Sequence, residues 1–511
     1  MAQENHTAIV SGMRKLSHEQ LATNALCAAS ALHSIGVWQG DVVALLLRND
    51  FAYFEATMSA SLLGATTVPM NWHMTSEEIA YILNDCEAKV ILAHTDLLTE
   101  SVLSVCTGRE IIAIKTPDEI AESYNLEESA CVVPGAIPEW YNWISNFEQW
   151  SKPARSVSMP MFYTSGTTGM PKGVKRKPIA PEIAVKVVAR TGQAFGLMDG
   201  PVRSIMSGPL YHSAPNAYAM KIVRDGGLLV LQPRFDAEEL LKLVEKHRIS
   251  HLHMVPTMFV RLLKLDKEVR DQYDVSTLVH VAHGAAPCPA DVKRQMINWW
   301  GKVIVEYYAM TETGIIATCS SDEWVNHPGT VGRPVDGTEV VIFGEDGKAT
   351  KKGVPGEICV SSETTPYVTY YRAEEKTAAL RRGNFINTGD VGYLDEDGYI
   401  HISDRISDMV LSGGVNIYPA EIEKILITLD TVHDCAVFGV PDDEFGERLV
   451  AAVETDGTVS EDQVVSYLRE HVASYKVPKT VLFQPALPRE DSGKIKKRIL
   501  KEAYMAGTLP A

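Results

Sequence analysis

The segment "MTSEEIAYILNDC" (74–86) stands between two short apolar runs, "DVVALLLRN" (41–49) and "AKVILAH" (88–94). Thr75 and Glu78 have the spacing of a capping box, and Ile79, Ile82 and Leu83 recur at helical intervals to form one apolar face. The two flanking runs read as buried strands, the second over Val90–Ala93. Strand–helix units of this kind recur along the chain and point to an α/β fold. In such folds ligand contacts gather just after the strands, which is where "MNWHM" (70–74) and "VPTMF" (255–259) stand.

At 511 residues the chain is long enough for a large core and more than one domain. The texture changes near residue 403. Before it, "GKATKKGVPGEICVSS" (347–362) and "GYLDEDGYIHIS" (392–403) read as a β-rich end to a large domain. After it, "YPAEIEKILITL" (418–429) reads as a helix with Pro419 in its first turn, and "DCAVFGV" and "RLVAAVE" read as strands. "SEDQVVSYLREHV" (460–472) reads as a helix capped by Ser460 and Gln463. The expected division is a large domain over 1–403, a hinge over 404–408 and a small domain over 409–511.

Charge narrows the class of partner. Forty-eight Lys and Arg against 65 Asp and Glu give a net charge of −17. That balance argues against nucleic acid or an anionic membrane surface, both of which need cationic patches. No run approaches the ~18 apolar residues of a membrane helix, and the amino terminus lacks a signal-peptide core. The eight cysteines are scattered without a C-x-x-C pair, as in a reduced cytosolic enzyme. The expectation is a soluble cytoplasmic protein.

One stretch concentrates small hydroxyls, glycines and cations: "YTSGTTGMPKGVKR", Tyr163 to Arg176. Glycine lets backbone N–H groups approach anionic oxygens, Ser and Thr add donors, and lysine adds charge. Thr164, Ser165, Gly166, Thr167, Thr168 and Gly169, followed by Lys172, supply all three. The stretch is not a Walker A loop, because Pro171 and Gly173 stand where that motif needs Gly and Ser or Thr. His251 and His253 in "SHLHMVP" lie two apart on a strand, without Cys or carboxylate spacing to suggest zinc.

The same stretch resembles the signature of adenylate-forming carboxylate ligases, which include acyl-CoA synthetases, luciferases and peptide-synthetase adenylation domains. "PLYHSAP" (209–215), "HGAAP" (283–287), "EYYAMTETG" (306–314), "GEICVSS" (356–362), "NTGDVGYLDEDGYI" (387–400), "DRISDMVLSGGVNIYPAEIE" (404–423) and "PREDSGKIKKRIL" (488–500) resemble the family's other signatures, in the family's order. The resemblance implies a large adenylation domain of layered α/β subdomains with a β-rich part, followed by a small mobile α+β domain.

It also implies a chemistry: ATP and a carboxylic acid form an acyl-adenylate and pyrophosphate, and the acyl group then passes to a nucleophile. Under that reading the 164–169 loop and Lys172 hold the triphosphate. Glu312 is the magnesium carboxylate. Tyr308 faces adenine, with Gly284, Ala285 and Ala286 on the other side. Glu306, Tyr307 and Thr311 complete that nucleotide motif. Asp390 takes the ribose hydroxyls, Arg405 reaches ribose and phosphate, and Asn416 lies near the nucleotide. Lys494, directly after Gly493, is the catalytic lysine carried by the small domain.

His212 resembles the histidine between the acyl pocket and the channel of the second nucleophile. Tyr211, Ser213, Asn216, Val255, Met258, Phe259, Ala282, Ala309 and Met310 are the candidate acyl pocket, and they favour a hydrophobic acid. Ala309 stands where the family usually has Gly. Ser407 occupies the pivot, where the family has Asp or Lys. Coenzyme A is the default acceptor, with Ser412, Gly413 and Gly414 lining the pantetheine channel. The branch resembled most acts on bulky or cyclic acids, as steroid and bile-acid CoA ligases do. It is also similar to coronafacate ligase, which forms amides, so an amino acid or amine is the alternative acceptor. A carrier protein in trans is a third, and the oligomeric state is open.

Overall fold

The computed structural model describes residues 7–509 apart from 156–158, 165–169, 178, 414, 430, 443, 456 and 490–494. Among these residues the apolar runs form two sheets. A four-stranded parallel sheet has the order Thr66–Pro69, Val42–Leu46, Val90–His94, Glu110–Ile114. The interior of a nine-stranded sheet runs Ile304–Met310, His280–His283, His251–Met254, Arg203–Met206, Leu228–Leu231, Thr7–Ser11, with every neighbouring pair parallel. Gly314–Cys319 and Arg14–Ser17 flank it in antiparallel pairing.

The helix Ser76–Asp85 forms with the Thr75–Glu78 capping box and buries Ile79, Ile82 and Leu83. The helix Phe51–Leu63 behaves differently, because nearly every residue on all its faces is buried. It has no solvent face to pattern, so its sequence shows little helical periodicity. One hydrophobic cluster joins its Phe51 and Phe54 to Val43 and Leu92 of the smaller sheet and to Met206 and Leu229 of the larger one. Burial here also includes Glu55, which accepts hydrogen bonds from Asn24 (2.7 Å) and the Trp140 indole (2.8 Å).

The β-rich part is antiparallel. Thr338–Phe343, Gly356–Ser362, Phe385–Leu394 and Ile400–Arg405 lie side by side, and Arg381–Arg382 adds an edge. A separate three-stranded sheet joins Phe162–Thr164, Lys172–Arg176 and Val368–Tyr370. The two strands that flank the glycine- and hydroxyl-rich motif thus pair antiparallel, with Tyr163 opposite Gly173. A Cβ at Gly173 would come within 3.0 Å of the Tyr163 ring.

After residue 409 the chain builds cores of its own around Ile422, Val437, Leu449 and Leu468, and around Phe438, Leu482 and Leu500. The expected helices form as Pro419–Leu426 and Glu461–His471, the latter with the Ser460–Gln463 capping box. At the junction Asp404 is buried on the strand Ile400–Arg405, and its carboxylate accepts the Ala420 N–H (2.8 Å) in the first turn of Pro419–Leu426. Lys497 reaches Glu423 at 2.8 Å and Asp408 at 4.0 Å. Ser407 donates to Asp408 at 3.1 Å. Among the described residues no helix is long and apolar enough to cross a membrane. All eight cysteines are free thiols.

Candidate active site

Side chains alternate along a strand, so Lys172, Val174 and Arg176 share one face of Lys172–Arg176. Val174 packs in a cluster with Tyr308 and Ile316, which turns that face toward the strand Ile304–Met310. The Lys172 ammonium lies 5.2 Å from the centre of the Tyr370 ring, and Tyr370 donates its hydroxyl hydrogen to Glu312 Oε1 at 2.8 Å. Burial and the Glu312 charge both push the Tyr370 phenol upward, so it stays a donor. Arg176 Nη2 donates to the Thr311 carbonyl at 2.6 Å, and the Thr311 hydroxyl lies 3.3 Å from that of Ser213. On its outer side Lys172 borders a cavity of about 510 Å³ shared with Tyr81, Asp85, Arg372 and Lys376.

Glu312 is 6% exposed, and among the described residues its Oε2 accepts no hydrogen bond. A buried carboxylate with one oxygen uncommitted, beside a threonine hydroxyl and a lysine, is an oxygen-rich setting. It suits a hard cation that keeps most of its waters, so the residues present fit magnesium.

The second cluster forms on the β-rich sheet. Asp390 and Arg405 are strand partners, with Arg405 Nε 3.2 Å from Asp390 Oδ1. Tyr308, from the nine-stranded sheet, donates its hydroxyl to Asp390 Oδ2 at 2.5 Å. Asp390 is buried on the strand Phe385–Leu394, just after an irregular stretch in which the Gly389 N–H donates to the Asn387 side chain at 2.8 Å. Facing Tyr308's strand, "GAA" is a tight turn: Ala285 has a φ of +68°, and a Cβ at Gly284 would lie 2.6 Å from the Tyr307 carbonyl oxygen. Small residues are required there by the approach of two backbones.

Several expectations change. The Glu306 carboxylate is committed within the protein: it is buried against Lys293, 2.5 Å away, with His283 Nε2 at 3.7 Å. Tyr308, two residues on and so on the same face of the strand, meets a different neighbour, Asp390 of the β-rich sheet. The Tyr307 ring is core, edge-on to Phe195, and its hydroxyl meets His253 Nε2 at 2.8 Å. The Asn216 amide is taken up by buried partners, donating to the Tyr53 hydroxyl (2.6 Å) and the Leu210 carbonyl (3.2 Å). Phe259 is fully buried against His283 and Trp300, and Val255 and Met258 belong to the same apolar cluster.

The remaining pocket candidates stand nearer the two clusters. Tyr211 packs edge-on against Trp72 (4.7 Å between ring centres) and beside the half-buried His212 (4.6 Å). Ala309 and Met310 are half-buried on the strand between Tyr308 and Thr311, and Ala282 is buried one strand away. Thr164 bonds the Lys172 carbonyl across the strand pair at 3.5 Å. Ser412 ends the strand Val410–Ser412, Gly413 has a φ of +57°, and Asn416 donates to Glu345 at 3.4 Å. Ser165, Gly166, Thr167, Thr168, Gly169, Gly414 and Lys494 lie outside the described residues. His251 and His280 bond the backbone carbonyls of Gly196 and Ala194, and no cluster of three metal-type ligands occurs among the described residues. Tyr370, Lys293 and Arg176 were not expected. Only Arg176 had a signal, its two-residue spacing from Val174.

Residues 1–369 match the AMP-binding enzyme family, and residues 421–494 match the AMP-binding enzyme C-terminal domain. The chain belongs to the AMP-binding enzyme family. This AMP-binding enzyme is 32% identical over 503 residues to a feruloyl-CoA synthase of an Amycolatopsis species, covering 98% of this chain and 96% of that one. Among solved structures it is similar to the anthranilate CoA ligase AuaEII in complex with anthranoyl-AMP, with TM-score 0.83, 26% identity, and coverage of 98% and 95%. It also shares its fold with the amide bond synthetase McbA of Marinactinospora thermotolerans, with TM-score 0.80, 23% identity, and coverage of 98% and 97%. It is an adenylate-forming ligase with a large amino-terminal and a small carboxyl-terminal part.

Proposed function

We propose that this enzyme activates a hydrophobic, bulky or cyclic carboxylic acid with ATP and then transfers the acyl group to the thiol of coenzyme A. The observation that carries the reading is the pairing of two clusters across one strand. Tyr308 ties Ile304–Met310 to Asp390 and Arg405, and four residues later Glu312 meets Tyr370 beside Lys172. A nucleoside held at the first cluster would place its phosphates toward the second.

In the first step a carboxylate oxygen of the acid attacks the α-phosphorus, and the bond to pyrophosphate breaks. Two anions approach each other, so donors and cations must be in place before the charge builds. Asp390 accepts the ribose hydroxyls, while Arg405 and Lys172 face the phosphates. Lys494 contributes its charge from the small domain. Glu312 would hold magnesium, which supplies neutralisation of phosphate charge when bound. In the second step the sulfur attacks the acyl carbon and AMP leaves. His212 is placed beside the pocket to take the thiol proton. The pocket side chains Tyr211, Ser213, Ala282, Ala309 and Met310 carry no charge and suit an apolar acid without a second charge.

Transfer to an amino acid or amine is the second reading. It is favoured by the fold shared with the amide bond synthetase McbA and by a first-step site that serves either acceptor. Incubation with ATP, magnesium and a panel of hydrophobic acids, with coenzyme A in one arm and amino acids in another, decides by product mass. An acyl-CoA supports the primary reading. An amide formed without coenzyme A replaces it, and no AMP formation with any acid rejects both.

A further inference from the structure

Arg176 has no role in the mechanism above. Its side chain is half-buried, and its one hydrogen bond among the described residues goes to the Thr311 carbonyl. Drawing a guanidinium partly out of water for a single neutral acceptor is unfavourable unless a charge nearby compensates it. Glu312 is that charge: burial pushes the Arg176 guanidinium down, and Glu312 pushes it back up.

The location of the accepting carbonyl matters. The ladder between Ile304–Met310 and Gly314–Cys319 ends at the pair Met310–Gly314, so Thr311, Glu312 and Thr313 form the turn beyond it. Inside the sheet, backbone bonds would fix this carbonyl; in the turn a side chain does it. Val368 pairs with Arg176, and Tyr370 on the same strand donates to Glu312. The three-stranded sheet thus grips the turn twice, Arg176 on the Thr311 carbonyl and Tyr370 on the Glu312 carboxylate.

We infer that Arg176 is a positioning residue for adenylation: by holding the Thr311 carbonyl it aims the Thr311 hydroxyl and the Glu312 carboxylate into the site between Lys172 and Asp390. The inference rests on the reading of Glu312 as the magnesium carboxylate. It acts through that turn and needs no contact between Arg176 and the acid.

The test compares Arg176→Met and Arg176→Lys with the wild-type chain in three readouts. These are ATP–pyrophosphate exchange, Mn²⁺ binding in the presence of ATP by electron paramagnetic resonance, and the thermal midpoint of the ligand-free protein. Arg176→Met is expected to lower exchange about 10- to 100-fold, as misaimed catalytic groups do. It should also weaken Mn²⁺ binding at least ~3-fold while the midpoint moves by only a few degrees, and Arg176→Lys, which keeps donor and charge, should restore most of both. Unchanged exchange and Mn²⁺ binding in Arg176→Met overturn the inference. So does a loss that tracks a fallen midpoint and is not restored by Lys, which marks a packing role. Tighter Mn²⁺ binding with normal exchange also overturns it, because charge alone would then be at work. A wild-type protein that binds Mn²⁺ with ATP but exchanges no pyrophosphate with any acid rejects the proposed function, and the Mn²⁺ readout still decides on Arg176.

Discussion

Tyr308 and Asp390 are 82 positions apart in the chain and 2.5 Å apart in space, hydroxyl to carboxylate, across the seam between the nine-stranded sheet and the β-rich sheet. Burial and the Asp390 charge hold the Tyr308 phenol well above its ordinary range. The phenol therefore stays a donor to the carboxylate that, in the proposed function, meets the ribose. Tyr308→Phe keeps the ring and removes the donor. It is expected to raise the KM for ATP about tenfold, the scale of one hydrogen bond to a charged group, with kcat less affected. Equal KM values in the variant and the wild type would remove Asp390 from ribose binding or Tyr308 from its support.

Lys494 is assigned from its place after Gly493. Lys494→Ala is expected to lose roughly 10²–10³ in ATP–pyrophosphate exchange, as for one transition-state donor. Acyl transfer from a supplied acyl-adenylate should be largely retained. Exchange above half the wild-type rate would give the role to another cation.

The Lys293–Glu306 pair is buried, with Lys293 fully enclosed and its ammonium 5.1 Å from the Trp324 ring centre. Breaking such a pair leaves one charge uncompensated. Lys293→Met alone should cost about 3–5 kcal/mol, and adding Glu306→Leu should recover most of it. Denaturant unfolding of the two variants measures this directly. A double variant no more stable than the single one would show that His283 and the packing, not the unpaired carboxylate, set the cost.

Burial pushes the Glu55 carboxyl up to about 7, against lowering by its Asn24 and Trp140 donors. The folded pKa lies above the unfolded value, so the folded state binds the extra proton. This contribution is fully present below pH ~4.5 and is lost as pH rises through about 7, an effect of order 3 kcal/mol. Buried His253, held down to about 4 by desolvation, has the opposite sign: its contribution is present above pH ~6.5 and is lost as pH falls toward 4. Glu55→Gln should flatten the decline in thermal midpoint between pH 5 and 8 without raising the acid-side value. An unaltered slope would show that Glu55 titrates as an ordinary surface carboxyl.

What the sequence made legible was local. Capping boxes at Thr75 and Ser460 depend on residues three apart, and both form as read. The motifs likewise brought Asp390, Arg405 and Tyr308 to one place. What it left open are matters of direction. Glu306 and Tyr308 stand two apart on one face of one strand, yet the elements packed against successive positions differ and give one to Lys293 and the other to Asp390. Asn216 and Phe259 sit in motif-like stretches but point into contacts, with Tyr53 and with Trp300, that depend on segments far away in the chain. Tyr370 carried no signal because its partner is 58 positions away. A pattern of residue types specifies which strand a side chain rides on; only packing settles what that side chain meets.

Asp404 and Arg405 are successive residues of one strand, so their side chains leave it on opposite faces. Arg405 turns to Asp390, and Asp404 turns to the first turn of Pro419–Leu426. A single peptide unit thus belongs to two pieces of machinery, the proposed grip on the nucleoside and the seat of the small domain. Any substitution at either residue will register in both, and a defect in ATP affinity at this strand is also a measurement of how the small domain sits.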